Sequence, residues 1–235
     1  MTKATLVIMR HGQTTDNIKH IDTAQNEAPL TKTGEKQARA AGPLIKDIHF
    51  DKVYSSPLSR AFNTAVLALE ASGTQQHLQK ANGSWKIEKN KQIIEVDDGI
   101  LTGRSMSDPV VVDYFKHCIY DVPAPGGESD KQAVARVKKF YEDEVLPRLA
   151  RGENVLITAH TGTIRALDIA MGLTPAPADG TQWKGRRPVP NAGPDVHEYV
   201  NGVLKKSYAI ENPETTKANL EKKKPAAKSN KPSKP

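Results

Sequence analysis

Short apolar runs alternate along the chain with stretches in which apolar residues recur every three or four positions. The runs Thr5–Met9 and Asn154–Thr158 have the length and composition of buried parallel strands. The stretches that follow residues 31, 56, 129 and 162 have the spacing of amphipathic helices. This alternation predicts an α/β fold, a three-layer α/β/α sandwich built on a mainly parallel sheet.

Capping residues and turn signals set the predicted boundaries. Hydroxyl groups at residues 31 and 33 favour a helix start there, and Ser56-Pro57 is a favourable cap and first-turn pair. Asn201-Gly202 is a strong hairpin signal and predicts an antiparallel edge to the sheet. The other predicted strands are Lys52–Ser55, Gln92–Val96, Val196–Val200 and a strand from Val203; the predicted helices run from 31 to about 47, from 56, from 129 to 149 with a bend at Pro147, and from 162 to 171.

Composition predicts one domain, residues 1–211, followed by a tail, residues 212–235. The formal net charge is +7, and the tail holds seven lysines against two glutamates, so most of the excess charge lies there. The tail has almost no apolar residues with which to offset its ordering entropy, and we expect it to be disordered and solvated. We therefore expect no nucleic-acid partner.

The cysteine count and the length of the apolar stretches indicate the cellular compartment that we expect for the protein. Cys118 is the one cysteine, so no intramolecular disulfide can form, and this fits a reducing compartment. No apolar stretch approaches the roughly 20 residues of a membrane span. We expect a cytoplasmic protein without a membrane partner; a homodimer is compatible with the sequence.

Chemically useful residues follow the two most apolar predicted strands. Arg10-His11-Gly12 comes directly after the first, and Ala159-His160-Thr161-Gly162 comes after the second. The carboxyl ends of parallel strands are where open α/β sheets bind ligands. The two histidines are therefore predicted to face each other across one pocket.

Four motifs in this order resemble the histidine phosphatase (phosphoglycerate mutase-like) superfamily. They are Arg10-His11-Gly12, the segment from Ser56 through Arg60 to Ala65, Glu95, and Ala159-His160. The resemblance covers roughly residues 5 to 210. Within the superfamily, the cofactor-dependent phosphoglycerate mutase branch is the most similar in its motifs, here Tyr120–Pro125, Gly127-Glu128-Ser129 and Val145–Leu149.

The resemblance implies a transfer of phosphate through histidine, without metal or organic cofactor. It assigns the nucleophile role to His11 and the role of proton donor to Glu95, with Asp97 and Asp98 as rival candidates. A phosphate monoester carries nearly two negative charges, which calls for several fixed donors. The predicted donors to phosphate are Arg10, Arg60 and a protonated His160, and the predicted substrate contacts also include Asn17 and Thr161.

Departures from the mutase branch favour hydrolysis of a small phosphorylated metabolite over mutation of phosphoglycerate. His117 and Cys118 stand where that branch has two arginines, Met106 stands in place of a lysine, and Asp98 in place of a tyrosine. Thr161-Gly162 replaces Gly-Asn. A 2,3-bisphosphoglycerate-dependent phosphoglycerate mutase is the alternative enzyme, and a non-catalytic protein that binds phosphorylated ligands is the alternative of another class.

The segment Trp183–Pro188 contains a lysine and two arginines. It could lie over the pocket mouth and supply a second cationic site, or stack a base or sugar on Trp183. An ordinary solvated loop is an equally good interpretation. Histidines outside the motifs are scattered among polar segments, which argues against a metal site.

Overall fold

The computed structural model describes residues 1–184 and 186–223, which contain a six-stranded sheet and eight α-helices. The strands are β1 (Lys3–Arg10), β2 (Lys52–Ser55), β3 (Ile87–Lys89), β4 (Val155–Ala159), β5 (Pro194–Val200) and β6 (Val203–Ala209). The helices are α1 (Thr15–Lys19), α2 (Lys32–Ile45), α3 (Ser59–Ser72), α4 (Pro109–His117), α5 (Asp130–Phe140), α6 (Leu146–Ala150), α7 (Thr161–Ala170) and α8 (Pro213–Lys223).

The sheet has the strand order β3-β2-β4-β1-β5-β6. The first four of these strands are parallel, and β5 and β6 form an antiparallel edge joined through Asn201-Gly202. Gly202 has a positive φ of 73° and Asn201 one of 50°, the left-handed pair that a two-residue hairpin turn requires. The predicted α/β architecture with a parallel sheet and an antiparallel edge is therefore confirmed.

Alternate residues of β1 serve two separate cores. Leu6 and Ile8 pack into the cluster that contains α5 and α7, whereas Val7 and Met9 pack into the cluster that contains α2 and α3. All four side chains are fully buried. A strand covered on both faces must be apolar throughout, which explains why β1 reads as a continuous run and not as an alternating one.

The predicted strand Gln92–Val96 is wrong. Asn90 Oδ1 accepts a hydrogen bond from the amide of Gln92 at 2.8 Å and starts a single tight turn, Lys91–Ile93. The chain beyond this turn is irregular, and the edge position beside β2 belongs to β3. The apolar residues of the segment were a misleading signal, because Ile93 is buried against the core from a turn.

The predicted helix from 129 to 149 is present in the structure and contains one wide turn. α5 ends at Phe140, and the amide of Leu146 reaches back five residues to the carbonyl of Tyr141, which forms a wide turn over Tyr141–Val145. Pro147 then lies in the first turn of α6, where its missing N–H leaves no unsatisfied partner. The chain is therefore helical from Asp130 to Ala150, as the sequence predicted, and the predicted disturbance near Pro147 takes the form of the wide turn immediately before that proline.

The start of α3 also differs from the prediction. Ser56-Pro57 precedes the helix, which begins at Ser59, and the carboxylate of Glu27 accepts from the Ser59 amide at 3.1 and 3.2 Å. Glu27 therefore takes the capping role that the sequence assigned to Ser56. The hydroxyl group of Ser56 accepts from the amide of Leu58 at 3.3 Å, just before the helix, and the same oxygen also contacts His160 in the site.

Part of the predicted disordered tail is helical. Residues 213–223 form α8, and the preceding Asn212 is buried with its amide group donating to the carbonyls of Gln37 at 2.9 Å and Ala192 at 2.7 Å. Thr215 is buried as well. Hydrogen bonds, and not apolar burial, attach this segment, so its low hydrophobicity was a poor guide. Residues 224–235 of the predicted tail lie outside the described residues.

Candidate active site

The register between β1 and β4 brings the two strand-end histidines together. Arg10 pairs with Ala159 at the end of the ladder, and the amide of His11 donates to the carbonyl of Ala159 at 3.0 Å. The next residues in the two strands are His11 and His160, whose rings lie 5.2 Å apart, centroid to centroid, at 56°. Both rings are buried, and the structure brings them side by side; His11 lines the cavity described below, whereas His160 lies behind it and is not part of the cavity lining.

Hydrogen bonding fixes the tautomer of His11. Its Nδ1 lies 2.7 Å from the carbonyl oxygen of Gly12, and because a carbonyl can only accept, Nδ1 must carry the hydrogen. The lone pair is then on Nε2. Burial, followed by the charges of Arg10 and Arg60, holds the pKa of His11 well below its usual value, so the ring is neutral at physiological pH. A neutral ring with an unprotonated Nε2 is the form that can act as a nucleophile.

Gly12 permits the close packing behind this histidine. A Cβ atom at this position would lie 2.3 Å from the carbonyl oxygen of Gly34, far inside van der Waals contact. The Gly12 amide donates to Thr64 Oγ1 at 2.9 Å, and that hydroxyl donates to the carbonyl of Arg60 at 2.7 Å. The loop after β1 is thereby attached to α3, and any larger residue at position 12 would displace it.

Two arginines flank the histidine pair without a carboxylate partner. Arg60 is only 2% exposed and donates to the carbonyls of Ala24 and Asn26, each at 2.7 Å. Arg10 donates to the carbonyl of Val189 at 3.0 Å, and its buried Nε has no partner. Among the described residues, no carboxylate oxygen lies within 4 Å of either guanidinium. Burial lowers the pKa of Arg10 to about 10 and lowers that of Arg60.

His160 is held between two partners. Arg60 Nε donates to its Nδ1 at 3.2 Å, and its Nε2 lies 2.7 Å from Ser56 Oγ. Burial and the charge of Arg60 hold the pKa of His160 well below its usual value, so the ring is neutral in this arrangement. The protonated donor expected from the sequence would require an anion nearby to hold the proton, and that role stays a prediction.

Glu95 reaches the same site from the irregular segment after Lys91–Ile93. Its Oε1 accepts from the amide of Thr163 at 3.2 Å, and its Oε2 accepts from the amide of Gly162 at 3.3 Å. The carboxylate therefore sits on the N-terminus of α7, where free amides and the helix dipole favour an acceptor. Arg136 donates to the backbone carbonyl of Glu95 at 3.2 Å and fixes its position.

His11, Arg10, Arg60 and Glu95 line one cavity of about 710 Å³, and His160 lies behind this wall in contact with Arg60. The predicted substrate contacts Asn17 and Thr161 are also in its wall, and Asn17 spends its Oδ1 on the amide of Thr14, which leaves its Nδ2 available. The remaining wall is mixed in character. Its apolar part includes Met106, Tyr114, Phe115 and Val189, and its charged part includes Asp22, Asp98, Asp130, Arg165 and Arg186.

Carboxyl groups in this wall have raised pKa values. Burial, followed by the charges of Asp22 and Glu95, raises the pKa of Asp98 to about 8. Burial also raises the pKa values of Asp22 and Asp130. Asp97 instead accepts from the amide of Gly99 at 3.0 Å and is absent from the described lining of the cavity. Of the two rival acids, only Asp98 therefore borders the cavity.

In the Trp183–Pro188 segment, the side chains of Trp183, Arg186 and Arg187 contact the rest of the protein, which differs from an ordinary solvated loop. Arg186 lines the cavity, stacks on Trp183 at 4.9 Å and forms an ion pair with Asp130. Arg187 bonds instead to Asp168 at 2.6 Å and Asp195 at 2.8 Å, and Trp183 packs against the core. Of the charged side chains that the structure describes in this segment, Arg186 is the one in the cavity lining, where Pro188 also lies.

Several residues of the site escaped sequence reasoning. Ser56 and Thr64 position His160 and Gly12, and the amide group of Asn191 donates to the carbonyl of His11 at 2.9 Å. Asn219 of α8 lines the cavity from the segment that we expected to be disordered. Ser56 and Thr64 lie inside a quoted motif, so a signal existed for them; nothing local marks Asn191 or Asn219.

No group of three or more histidine, cysteine, aspartate or glutamate side chains among the described residues could hold a metal ion. No helix over residues 1–184 and 186–223 has both the length and the apolar content needed to cross a membrane.

Comparison with known proteins places the chain in a family. The model of the histidine phosphatase superfamily (branch 1) matches residues 6–184. A 2,3-bisphosphoglycerate-dependent phosphoglycerate mutase of Methylobacterium sp. (strain 4-46) is 38% identical over 190 residues, which are 77% of this chain and 87% of that protein.

Solved structures show the same fold. Phosphoglycerate mutase from Bacillus anthracis str. Sterne has a TM-score of 0.66 at 22% identity and covers 95% of this chain and 98% of its own. Mycobacterial glucosyl-3-phosphoglycerate phosphatase has a TM-score of 0.61 at 23% identity, covering 82% of this chain and 92% of its own. Since the family match spans both strand-end histidines, Arg60 and Glu95, the chain belongs to the histidine phosphatase superfamily.

Proposed function

We propose that this protein is a phosphomonoesterase that hydrolyses a small phosphorylated metabolite through a phosphohistidine intermediate. The observation that carries the proposal is the environment of His11. Its Nε2 is unprotonated, and it faces a cavity whose two nearest arginines lack a carboxylate partner among the described residues. Buried guanidinium groups of this kind are matched to a phosphate dianion.

The reaction has two steps. In the first, Nε2 of His11 forms a bond to phosphorus as the bond from phosphorus to the ester oxygen breaks, and the leaving oxygen takes a proton from Glu95. Arg10 and Arg60 donate to the equatorial oxygens as charge develops on them. In the second step, water attacks phosphorus, the bond from nitrogen to phosphorus breaks, and the carboxylate recovers the proton from that water.

The residues around the cavity favour hydrolysis of a phosphate ester over the mutase reaction. Met106 and Cys118 line it at positions where the mutase branch has cations. A mutase must retain a bisphosphate between half-reactions, and each charged hydrogen bond lost to such an anion costs about 1.5–3 kcal/mol. The 38% identity to a phosphoglycerate mutase favours mutase activity as the second candidate.

A single-turnover experiment tests the intermediate. Mixing enzyme with ³²P-labelled substrate and quenching within milliseconds should give label on protein that is stable to alkali and lost in acid. The label should be absent in His11→Ala. His49→Ala is the matched control, because His49 is an exposed histidine that does not line the cavity, and this variant should keep the label. Full hydrolytic activity in His11→Ala would eliminate the proposed mechanism, and tight phosphate binding without turnover in the wild type would favour a binding protein.

A product ratio separates the two enzyme candidates. With 3-phosphoglycerate and 2,3-bisphosphoglycerate supplied together, we expect more inorganic phosphate than 2-phosphoglycerate. A ratio of 2-phosphoglycerate to phosphate well above one would establish the mutase. Arg186, which lines the cavity, would then take the place of the cations that the mutase branch has at positions 106 and 118.

A further inference from the structure

Glu95, the proposed proton donor, comes from an irregular segment and not from a strand. The segment follows the single turn Lys91–Ile93, and the sheet position beside β2 is taken by β3. Hydrogen bonds between strands, which hold the chain up to Arg10 in register, therefore do not fix Glu95. A displacement of about 1 Å at a reacting group can cost on the order of 10²-fold in rate, so other contacts must hold this carboxyl group.

Arg136 of α5 holds the segment at two of its carbonyl groups. Its Nη1 donates to the carbonyl of Gln92 at 2.7 Å, and its Nη2 donates to the carbonyl of Glu95 at 3.2 Å. Gln25 donates to the same Glu95 carbonyl at 3.0 Å, but it comes from a turn, whereas Arg136 comes from a helix whose next residue, Val137, is fully buried in the core. Arg136 therefore ties the backbone of Glu95 to a rigid element.

Glu128 completes the attachment on the other side of Glu95. It accepts from Arg136 Nε at 2.9 Å through Oε2 and from Nη2 at 2.6 Å through Oε1. Its Oε1 also accepts from the amide of Asp97 at 3.2 Å, and its own amide donates to the carbonyl of Asp97 at 2.8 Å. Arg136 and Glu128 thus form a clamp that holds the chain both before and after the proton donor.

The two ends of Glu95 are held by two helices of the same core. Its carboxylate accepts from the amides at the start of α7, and its carbonyl accepts from Arg136 of α5. Val137 of α5 and Ile164 of α7 belong to one buried cluster. With both ends fixed to that cluster, the carboxyl group keeps one orientation toward the cavity, as an efficient proton donor requires.

The clamp depends on the shape of the guanidinium group. The side chains of Arg136 and Glu128 are only 20% and 18% exposed, so water and salt screen their hydrogen bonds less than those of a surface pair. The planar fork of Arg136 reaches two backbone carbonyls and both carboxylate oxygens at once. A lysine has its donors on a single nitrogen atom and cannot span these acceptors.

We propose that Arg136 is a positioning residue for acid catalysis, which directs the carboxyl group of Glu95 at the leaving oxygen through the clamp. Arg136 is absent from the described lining of the cavity, so it acts through Glu95 and not on the substrate. In the step that it supports, the proton moves from Glu95 to the ester oxygen as the bond from that oxygen to phosphorus breaks. The inference rests on the proposed phosphatase function and adds a residue that serves one part of it.

Two leaving groups test this role. Arg136→Lys should lower kcat/KM for glycerol 3-phosphate at least about tenfold, because its alkoxide must be protonated as it leaves. The same variant should lower kcat/KM for p-nitrophenyl phosphate less than about threefold, because nitrophenolate leaves without a proton. Arg136→Gln, which also loses the fork, is a second variant and should give the same selective loss. Glu128 borders the cavity and is left unchanged.

Arg148→Lys is the matched control for the loss of a half-buried arginine fork. Arg148 donates to Glu153 at 2.8 Å and to the hydroxyl of Tyr54 at 3.0 Å, its side chain is 27% exposed, and it is absent from the described cavity lining. A variant that only weakens the fold should affect both substrates in parallel. Arg148→Lys should therefore leave the ratio of the two kcat/KM values unchanged.

A double variant shows whether Arg136 acts through Glu95. In the Glu95→Gln background, Arg136→Lys should lower kcat/KM for glycerol 3-phosphate by less than about threefold more, because the group that it positions is already inactive. Rapid quench of Arg136→Lys with ³²P-labelled p-nitrophenyl phosphate should still give label on His11 at no less than the wild-type amount. That measurement shows that the nucleophile and its arginines remain assembled.

The outcomes separate this inference from the proposed function. A selective loss in Glu95→Gln together with equal losses for both substrates in Arg136→Lys, or losses that multiply in the double variant, would overturn the positioning role and keep the phosphatase. A selective loss in Arg148→Lys as large as that in Arg136→Lys would overturn it as well. Equal losses for both substrates in Glu95→Gln would refute Glu95 as the proton donor, and the inference with it.

Discussion

Asn212→Ala should strongly destabilise the protein, although the residue lies in a segment of polar composition. Its side chain is 3% exposed and donates to two buried carbonyls, those of Gln37 and Ala192. Its Oδ1 accepts from the amides of Glu214 and Thr215 at 3.1 and 3.4 Å, as the cap of α8 does. Alanine can make none of these hydrogen bonds.

The size of the effect follows from these contacts. A buried acceptor without its donor costs about 1–3 kcal/mol, and loss of a helix cap costs about 1 kcal/mol. Allowing for water that reaches one of the two carbonyls, we expect a loss of about 3 kcal/mol in the free energy of unfolding. For a chain of 235 residues this corresponds to a Tm lowered by roughly 6–12 °C.

Thermal and urea unfolding followed by circular dichroism measure this loss. Leu220→Ala is the matched control, because Leu220 lies on the same helix with 58% of its surface exposed and should change stability by less than about 0.5 kcal/mol. If Asn212→Ala is as stable as that control, α8 does not dock in solution and the assignment of its anchor is incorrect.

The same anchor connects to the reaction centre. Thr215 Oγ1 donates to the carbonyl of Asn191 at 2.6 Å, and Asn191 in turn donates to the carbonyl of His11. Deletion of residues 212–235 should therefore lower both Tm and kcat/KM, contrary to what a disordered tail would predict. Deletion of residues 224–235 alone keeps all these contacts, and it should leave both quantities close to those of the full chain.

Three further expectations concern proton transfer and the core. Glu95→Gln should slow glycerol 3-phosphate hydrolysis on the order of 10²-fold but p-nitrophenyl phosphate hydrolysis much less, since nitrophenolate leaves without a proton; equal losses would transfer the acid role to Asp98. Burial lowers the pKa of His197 to about 4 from 6.5, so the unfolded chain binds more protons than the folded chain between these two pH values. The free energy of unfolding should therefore fall by roughly 3 kcal/mol as the pH drops from 6.5 to 4. Urea titrations should find this loss reduced in His197→Gln. Arg187→Met leaves Asp168 and Asp195 buried without their cation. The free energy of unfolding, measured by chemical denaturation, should fall by about 2–4 kcal/mol, a value reduced from that of a fully buried ion pair because the Arg187 side chain is 36% exposed. An unchanged denaturation midpoint would contradict this expectation.

Sequence patterns predicted the centre of the fold well because the signals there are local. β1 and β4 are continuous apolar runs, and each leads directly into its histidine motif. Parallel strands end at the same edge of a sheet, so the proximity of His11 and His160 followed without knowledge of the loops. Arg10 belongs to the first of these motifs, whereas Arg60 was predicted from the resemblance of a third one, the segment from Ser56 to Ala65.

The errors arose where structure depends on partners distant in sequence. Asn212 is held by Gln37, 175 positions away, and no periodicity or composition marks such a contact. The segment Gln92–Val96 has the composition of a strand, but the position beside β2 is taken by β3, and the segment packs Ile93 into the core from a turn. Tertiary context overrode local propensity in both cases.

The cavity wall was the least predictable part of the site. The sequence analysis did not single out Asp22, and it treated Asp98 as a rival acid and as a departure from the mutase branch. Both border the same cavity because backbone hydrogen bonds attach the loop of Asp22 to Gly103 and Arg104. Charge interactions between loops leave no pattern in a single sequence, since neither residue is unusual in its own segment.

Because Arg10 pairs with Ala159, the position of His160 beside His11 depends on the lengths of β1 and β4. Removing one residue from β4 would turn His160 toward the opposite face of the sheet and present a neighbour in its place. By contrast, the turn around residues 80–84 borders no part of the cavity and closes on itself through Lys80 and Ser84. Insertions, affinity tags or a circular-permutation break are therefore best placed in that turn, and the two strands should keep their present lengths in any engineered descendant.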